Sequence, residues 1–202
     1  MKDYASIRDQ VKDGDLLLFR GRSLLSRIIR KFTSSPYTHA GIAMWWQPEG
    51  LSRRRLLVFE AIGKGIVLSP ASRAVDQYDG RVDWYWLTDQ ARQALDTERL
   101  FALALAQLGK RFGALGLVVY ALRYILARLR IMDMEGGEDA KNPRAMFCSW
   151  YVSYVFKGAG YDVDPKHKNG LTSPADLRDS EGTEYGGTLR YDDETSARRA
   201  RR

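Results

Sequence analysis

One histidine and one cysteine in this sequence could together form a nucleophile. His39 begins an apolar segment with the pattern of a strand, and Cys148, the only cysteine, opens the apolar segment 148–152. A thiol becomes a strong nucleophile at neutral pH when it loses its proton, and a neighbouring imidazole promotes that loss. The pair predicts a cysteine hydrolase with Cys148 as nucleophile and His39 as base.

Cys148 is predicted to begin a helix that packs into the protein. Apolar and aromatic residues follow it at helical spacing: Tyr151, Val152, Val155 and Phe156. At a helix N-terminus, free backbone N–H groups and the helix dipole favour a thiolate, and the N–H of the nucleophile can stabilise an oxyanion. The alternative is that the thiol is a small buried hydrophobic group, as many free cysteines are.

Glu60 is an unusual carboxylate inside the apolar strand segment 56–61, so it needs a polar partner. If the strands at 38–46 and 55–62 pair antiparallel, His39 and Glu60 share a face when paired residue numbers add to an odd value such as 99 or 101. Glu60 could then orient one imidazole nitrogen and leave the other for the sulfur. The alternative is a strand-edge glutamate that faces solvent or pairs with arginine.

The second histidine is a weaker candidate for the base. His167 lies in the polar, turn-rich segment 164–170, where a solvated side chain is expected. His39 itself could be a purely structural histidine in an apolar strand. The sequence therefore favours His39 as the base without excluding a structural role.

Length and charge limit the classes of protein that remain. A chain of 202 residues with 45% hydrophobic residues supports one core, and its net charge of +7 suits nucleic acid, anionic lipid or an acidic polymer equally well. The N-terminus lacks the pattern of a Sec-type signal peptide, and the apolar run 114–122 is too short for a membrane span. We therefore expect a soluble, cytoplasmic protein, with export by another route left open.

The elements predicted around these residues form a meander of strands followed by helices. A short helix at 3–12 precedes a strand at 16–19, and a helix is expected at 23–32. Further strands are predicted at 38–46, 55–62, 65–69 and 82–87, with a glycine-rich turn at 63–65. Helical periodicity begins at Thr88 and places the following apolar residues on one face: Leu95, Leu100, Leu103, Ala104 and Leu108.

The rest of the chain completes an α+β organisation. A helix at 114–130 and an acidic, glycine-containing loop at 133–139 precede the cysteine helix. We predict one catalytic domain over residues 1–180, with a helical and loop insertion at 110–142. Residues 181–202 are predicted to be a polar, basic and mobile C-terminal tail.

Four segments together resemble the permuted papain-like amidases related to the NlpC cell-wall peptidases, in the YiiX-like branch. These segments are 14–19 (Gly-Asp-Leu-Leu-Leu-Phe), 37–43 (Tyr-Thr-His-Ala-Gly-Ile-Ala), 58–61 (Val-Phe-Glu-Ala) and 147–152 (Phe-Cys-Ser-Trp-Tyr-Val). In that branch the histidine strand precedes the cysteine helix. The resemblance extends from residue 14 to about residue 178, where segment 172–177 is similar to the closing segment of the family.

The resemblance implies a circularly permuted papain-like fold in which an antiparallel sheet or half-barrel packs against helices, the cysteine helix among them. It implies Cys148 as nucleophile, His39 as base and then acid, and Glu60 as the residue that orients His39. The implied reaction is acyl transfer from an amide or ester to sulfur through a thioester, and it requires neither a metal nor another cofactor.

Three classes of function remain open. The first is an amidase or peptidase acting on short peptides or cell-wall fragments, although the chain has no visible export signal or wall-binding module. The second is a lipid-directed thiol hydrolase or acyltransferase, in which residues 114–130 contact an anionic membrane. The third is a catalytically silent binding module in which the basic C-terminal tail and four tryptophans form a nucleic-acid surface, namely Trp45, Trp46, Trp84 and Trp86. The strand spacing of these tryptophans favours core positions. Specific nucleic-acid binding is therefore not expected, and the oligomeric state is left open.

Overall fold

A seven-stranded sheet organises the part of the chain that the computed structural model describes, which is residues 2–22, 26, 27, 30, 35–50, 52–113, 143–167 and 169–190. Its strands are β1 (Lys2–Asp3), β2 (Leu16–Gly21), β3 (His39–Trp46), β4 (Arg55–Ile62), β5 (Gly65–Pro70), β6 (Gly80–Leu87) and β9 (Thr183–Arg190). They lie in the order β1-β9-β6-β2-β3-β4-β5. All neighbours are antiparallel except β1 and β9. The short strands β7 (Arg111–Phe112) and β8 (Ala145–Met146) pair in parallel beside this sheet.

Helices cover both faces of the sheet. They are α1 (Tyr4–Ile7), α2 (Ala71–Gln77), α3 (Asp89–Ala94), α4 (Thr97–Ala106), α5 (Cys148–Gly158) and α6 (Pro174–Arg178), with 3₁₀ turns at Arg8–Gln10 and Asn169–Leu171. Among these described helices, none has the length and apolar character needed to cross a bilayer.

The apolar run of β2 shows why both faces are covered. Leu16 and Leu18 pack into the cluster that contains the buried face of α5, whereas Leu17 and Phe19 pack into a second cluster with α1. Successive side chains of a strand point to opposite faces, so an unbroken apolar run requires a core on each side. The predicted α+β class, with a largely antiparallel sheet packed against the cysteine-bearing helix, is confirmed.

The predicted C-terminal tail begins too early. Residues Thr183–Arg190 form β9, which lies between β1 and β6 inside the sheet. The segment looks polar because only part of it faces the core, and its two glycines at 186 and 187 resemble a turn. A Cβ at Gly186 would lie 2.6 Å from the Trp84 ring, so close packing explains the glycine at that position.

The single helix predicted from Thr88 is two helices. Thr88 caps α3, but the chain leaves the helix at Leu95. The Asp96 side chain then accepts the backbone N–H of Arg99 and caps α4. Aspartate favours this position because it satisfies a free helix N–H. As a result Leu108 lies beyond α4 and is 39% exposed rather than buried on a shared face.

Several predictions fall on residues outside the described ranges. They include most of the helix at 23–32, the helix at 114–130 with its proposed membrane contact, the loop at 133–139, and the tail from 191 onward. By contrast, the predicted strands at 38–46, 55–62, 65–69 and 82–87 match β3 to β6 within two residues at each end.

Candidate functional site

His39 and Glu60 meet at the beginning of β3. Gly41 pairs with Glu60 and Ile42 with Phe59, so the paired numbers add to 101, one of the two values that place His39 and Glu60 on the same face. The Nε2 atom of His39 lies 2.8 Å from Oε2 of Glu60. Both side chains are largely buried, which strengthens their electrostatic interaction because water screens it poorly.

Gly41 provides the space that allows His39 and Glu60 to come into contact. It lies directly opposite Glu60 and two positions after His39, on the same face of the sheet. A Cβ at this position would approach a methyl group of Val58 to 2.5 Å and the Phe59 carbonyl oxygen to 3.0 Å. A glycine is therefore required where the two strands lie close together beside the histidine and the carboxylate.

Cys148 is the first residue of α5, as the sequence predicted, with Phe147 as the N-cap. The backbone N–H groups of Ala40 and Ser149 and the imidazole of His39 all hydrogen-bond to its sulfur. Burial alone would raise the pKa of the Cys148 thiol, but the positive charge of His39 and these hydrogen bonds lower it below its ordinary value. The site therefore favours a thiolate.

The His39 ring connects the sulfur to the carboxylate. Burial by itself would lower the pKa of His39, but the charge of Cys148, the hydrogen bonds to both partners and the charge of Glu60 outweigh it and raise the pKa to about 10. Because Nε2 faces Glu60, Nδ1 is the nitrogen that faces the sulfur. The imidazole therefore lies between a thiol and a carboxylate, an arrangement that favours a thiolate–imidazolium pair.

Two residues that hold this arrangement were missed by the sequence reasoning. The ring of Phe19 packs against the His39 ring, with centroids 4.8 Å apart, and Ser69 hydrogen-bonds to Glu60. The strand register identifies both residues. Phe19 on β2 pairs directly with His39 on β3. The tight turn between Ile62 and Gly65 fixes Ser69 on the face of Glu60.

Access to the sulfur is narrow. Cys148 is 8% exposed and the His39 side chain 15% exposed, so only a small opening leads to the pair. The apolar face of α5 that was predicted from spacing is buried throughout, including Tyr151 and Val155. The cysteine thus lies at the margin of the core, close enough to the surface for a small electrophile.

The second histidine is not simply solvated. The His167 side chain is 33% exposed, and its Nδ1 lies 3.1 Å from the Asp164 carboxylate. Of the four tryptophans considered for a nucleic-acid surface, Trp84 is buried, Trp46 is 49% exposed and Trp86 is 36% exposed. The expectation of core positions therefore fails for the last two.

Comparison with known proteins gives a likeness at the level of fold. No family model matches the chain. No curated protein sequence matches it either. A crystal structure of yiiX from Escherichia coli O157:H7, described as a metalloprotein, matches with a TM-score of 0.59 and 17% sequence identity, over 90% of this chain and 99% of the other. The chain has a YiiX-like fold. At 17% sequence identity this likeness shows a similar architecture only. The chemistry has to be argued from the residues of the site.

Proposed function

We propose that this protein is a thiol-dependent hydrolase of amides or related acyl compounds, with Cys148 as nucleophile. The observation that carries the proposal is the position of the His39 ring between the Glu60 carboxylate, at 2.8 Å, and the sulfur at the N-terminus of α5. A buried structural histidine needs one polar partner, whereas this one connects a carboxylate to a thiol. That is the arrangement required for nucleophilic catalysis.

In the proposed reaction the Cys148 thiolate attacks the substrate carbonyl and forms a tetrahedral intermediate. The intermediate collapses to a thioester as the His39 imidazolium gives its Nδ1 proton to the leaving amine or alcohol. Water then attacks the thioester while His39 accepts a proton from it, which releases the acid and restores the thiolate–imidazolium pair. Glu60 keeps the ring oriented and stabilises its positive charge throughout.

The backbone at the start of α5 supplies a donor for the oxyanion. Cys148 is the first helical residue, and the first N–H groups of a helix have no partner within the helix. The N–H of Cys148 is therefore placed to donate to the oxygen of a carbonyl that its own sulfur attacks. The N–H groups of Ala40 and Ser149 serve the sulfur instead.

Short peptides and cell-wall-type amides are the first substrates to test. The resemblance to permuted papain-like amidases motivates this class, and the same thioester chemistry would serve a lipid amide or ester. The lipid-directed alternative depends on residues 114–130, which lie outside the described ranges. Both classes therefore belong in one substrate panel, and the chemical proposal is common to them.

The test that needs no substrate is the pH dependence of Cys148 alkylation by iodoacetamide. In the native protein we expect the alkylation rate to rise at a pH well below the ordinary thiol value of about 8.5. In His39→Ala we expect the inflection to move to a higher pH than that of an ordinary thiol, because burial then acts without a compensating charge. His167→Ala is the matched control and should keep the native profile.

A native thiol with an ordinary profile that His39→Ala leaves unchanged would overturn the proposal. The protein would then be a binding module with a papain-like architecture. Circular dichroism of each variant separates a lost fold from a lost ion pair.

A further inference from the structure

A second cluster of potential ligand groups lies after α5 and shares no residue with the thiol site. Asp164, His167 and Asp176 each offer one ligand atom, and these atoms all lie within 4.8 Å of one another. The Nδ1 atom of His167 is 3.1 Å from each carboxylate oxygen of Asp164 and 4.0 Å from Oδ1 of Asp176. An imidazole nitrogen and two carboxylates are a common set of ligands for a divalent transition metal.

Within the part of the chain that the structure describes, the Asp164 carboxylate has no lysine or arginine as a counter-charge. It is 4% exposed, and within the described ranges its oxygens contact only His167, with no lysine or arginine in an ion pair. A buried carboxylate is costly unless a cation or several donors compensate it. A bound cation would compensate the Asp164 carboxylate directly.

Three further acidic residues, Asp162, Asp179 and Glu181, line the same cavity of about 280 Å³, and two of them are paired with basic side chains. Asp162 accepts the backbone N–H of Asp164 and pairs with Lys157 at 3.0 Å. Asp179 pairs with the neighbouring Arg178. The cavity therefore contains several carboxylates, and within the described ranges the ligand atoms of Asp164, His167 and Asp176 converge in one place.

Asp176 completes the cluster through the cap of α6. Its Oδ2 accepts the backbone N–H of Ser173 at 2.8 Å, and the Ser173 hydroxyl oxygen accepts the backbone N–H of Asp176 at 3.3 Å, which forms a capping box. The Ser173 hydroxyl also donates to Oδ2 at 2.6 Å. Oδ1 is left facing His167. The cap fixes the carboxylate in place, so the ligand atom is presented without a large loss of side-chain entropy when it binds.

We propose that Asp164, His167 and Asp176 bind a divalent transition-metal ion, with Zn²⁺ as the ion of reference. Ligand atoms about 2.1 Å from zinc in a tetrahedral site lie roughly 3.4 Å apart, so small side-chain rotations bring the three groups to coordination distance. Water fills the remaining position. Bound metal would neutralise Asp164 and fasten the loop before His167 to α6. The site stands apart from the Cys148 chemistry, and no step of that reaction passes through it.

The test is isothermal titration of chelator-treated protein with Zn²⁺ in the Cys148→Ser background, which removes the thiol as a competing ligand. We expect one ion per chain, at least tenfold weaker binding in His167→Ala and in Asp164→Asn, and unchanged binding in Asp162→Asn. Asp162→Asn is the matched control because it removes a carboxylate of the same cavity that Lys157 already engages.

Three results would overturn the assignment. Equal affinity in His167→Ala would show that the imidazole is not a ligand. Equal weakening in Asp162→Asn would indicate general attraction of cations to an acidic cavity. One-to-one binding that is present in the native protein and lost with Cys148→Ser would place the metal at the thiol site. His39→Ala separates the two proposals further, since it should alter thiol alkylation and leave this titration unchanged.

Discussion

The two histidines of this protein each lie beside a carboxylate, but their surroundings favour different chemistry. Each has one ring nitrogen against a carboxylate: His39 at 2.8 Å from Glu60, and His167 at 3.1 Å from Asp164. They differ in the third group. For His39 it is the Cys148 thiol, and for His167 it is a second carboxylate, that of Asp176.

The third group decides what each histidine can do. A thiol gains a negative charge when it gives its proton to the ring, so the first arrangement favours a thiolate–imidazolium pair. Two carboxylates cannot neutralise each other, so the second arrangement attracts a cation from outside the chain. A histidine–carboxylate pair alone therefore does not define a function. The following substitutions test this contrast.

The largest effect is expected from Cys148→Ser. Serine keeps the size of the side chain, but its hydroxyl is far less acidic than the thiol, so turnover of any amide or ester substrate should fall by about 1,000-fold or more in kcat/KM. Steady-state assays over the panel of peptide and lipid substrates measure the loss. His167→Ala should remain within about twofold of the native value. Substantial turnover in the serine variant would exclude Cys148 as the nucleophile.

Glu60→Gln is expected to have an intermediate effect. Glutamine can still accept a hydrogen bond from the ring but lacks the charge that helps to raise the pKa of His39. A change of one pKa unit corresponds to about tenfold in the population of the ion pair. We therefore expect about a tenfold slower alkylation of Cys148 at pH 6, and an inflection at a higher pH than in the native protein but a lower one than in His39→Ala. An unchanged inflection would mean that Glu60 only packs beside the ring.

Zinc should stabilise the native protein through the second cluster. A ligand at 100 times its dissociation constant adds about 2.7 kcal/mol to the free energy of unfolding. For a chain of this size that corresponds to a rise in Tm of roughly 5–10 °C. Differential scanning fluorimetry with and without Zn²⁺ measures the rise, which His167→Ala should remove and His39→Ala should keep. A rise in Tm that His39→Ala removes would place the zinc at His39 and not at His167.

The smallest effect is expected from Asp162→Asn. The ion pair with Lys157 is partly exposed, and such pairs contribute less than about 1 kcal/mol. Urea unfolding should therefore show nearly the native midpoint. A large loss of stability would show that the whole acidic cavity, and not only the cluster of three residues, depends on its charges.

Local pattern was sufficient to predict most of the elements around the thiol site. The alternation of apolar residues predicted β3 to β6, and the apolar spacing after Cys148 predicted the buried face of α5. Side-chain direction in a strand has a period of two, so one correct register placed Glu60 on the face of His39. These features depend on neighbours in sequence or across one hairpin.

Local pattern was insufficient where a distant partner determines the structure. The glycines of β9 resemble a turn, but Gly186 is required by the bulk of Trp84 on the neighbouring strand. The break between α3 and α4 depends on Asp96, whose side chain could equally have faced solvent in one longer helix. The polar segment with His167 gave no sign that α6 would bring Asp176 beside it.

The sequence by itself determined which reactive groups exist and which face each of them occupies on its own element. A single cysteine at the start of an apolar helix and a histidine at the start of a strand are local facts. Only the tertiary structure decided that the ring contacts the sulfur, and that the other histidine meets two carboxylates. The reason is physical: a pKa and a ligand set depend on distances between groups far apart in the chain, and packing of the whole core sets those distances.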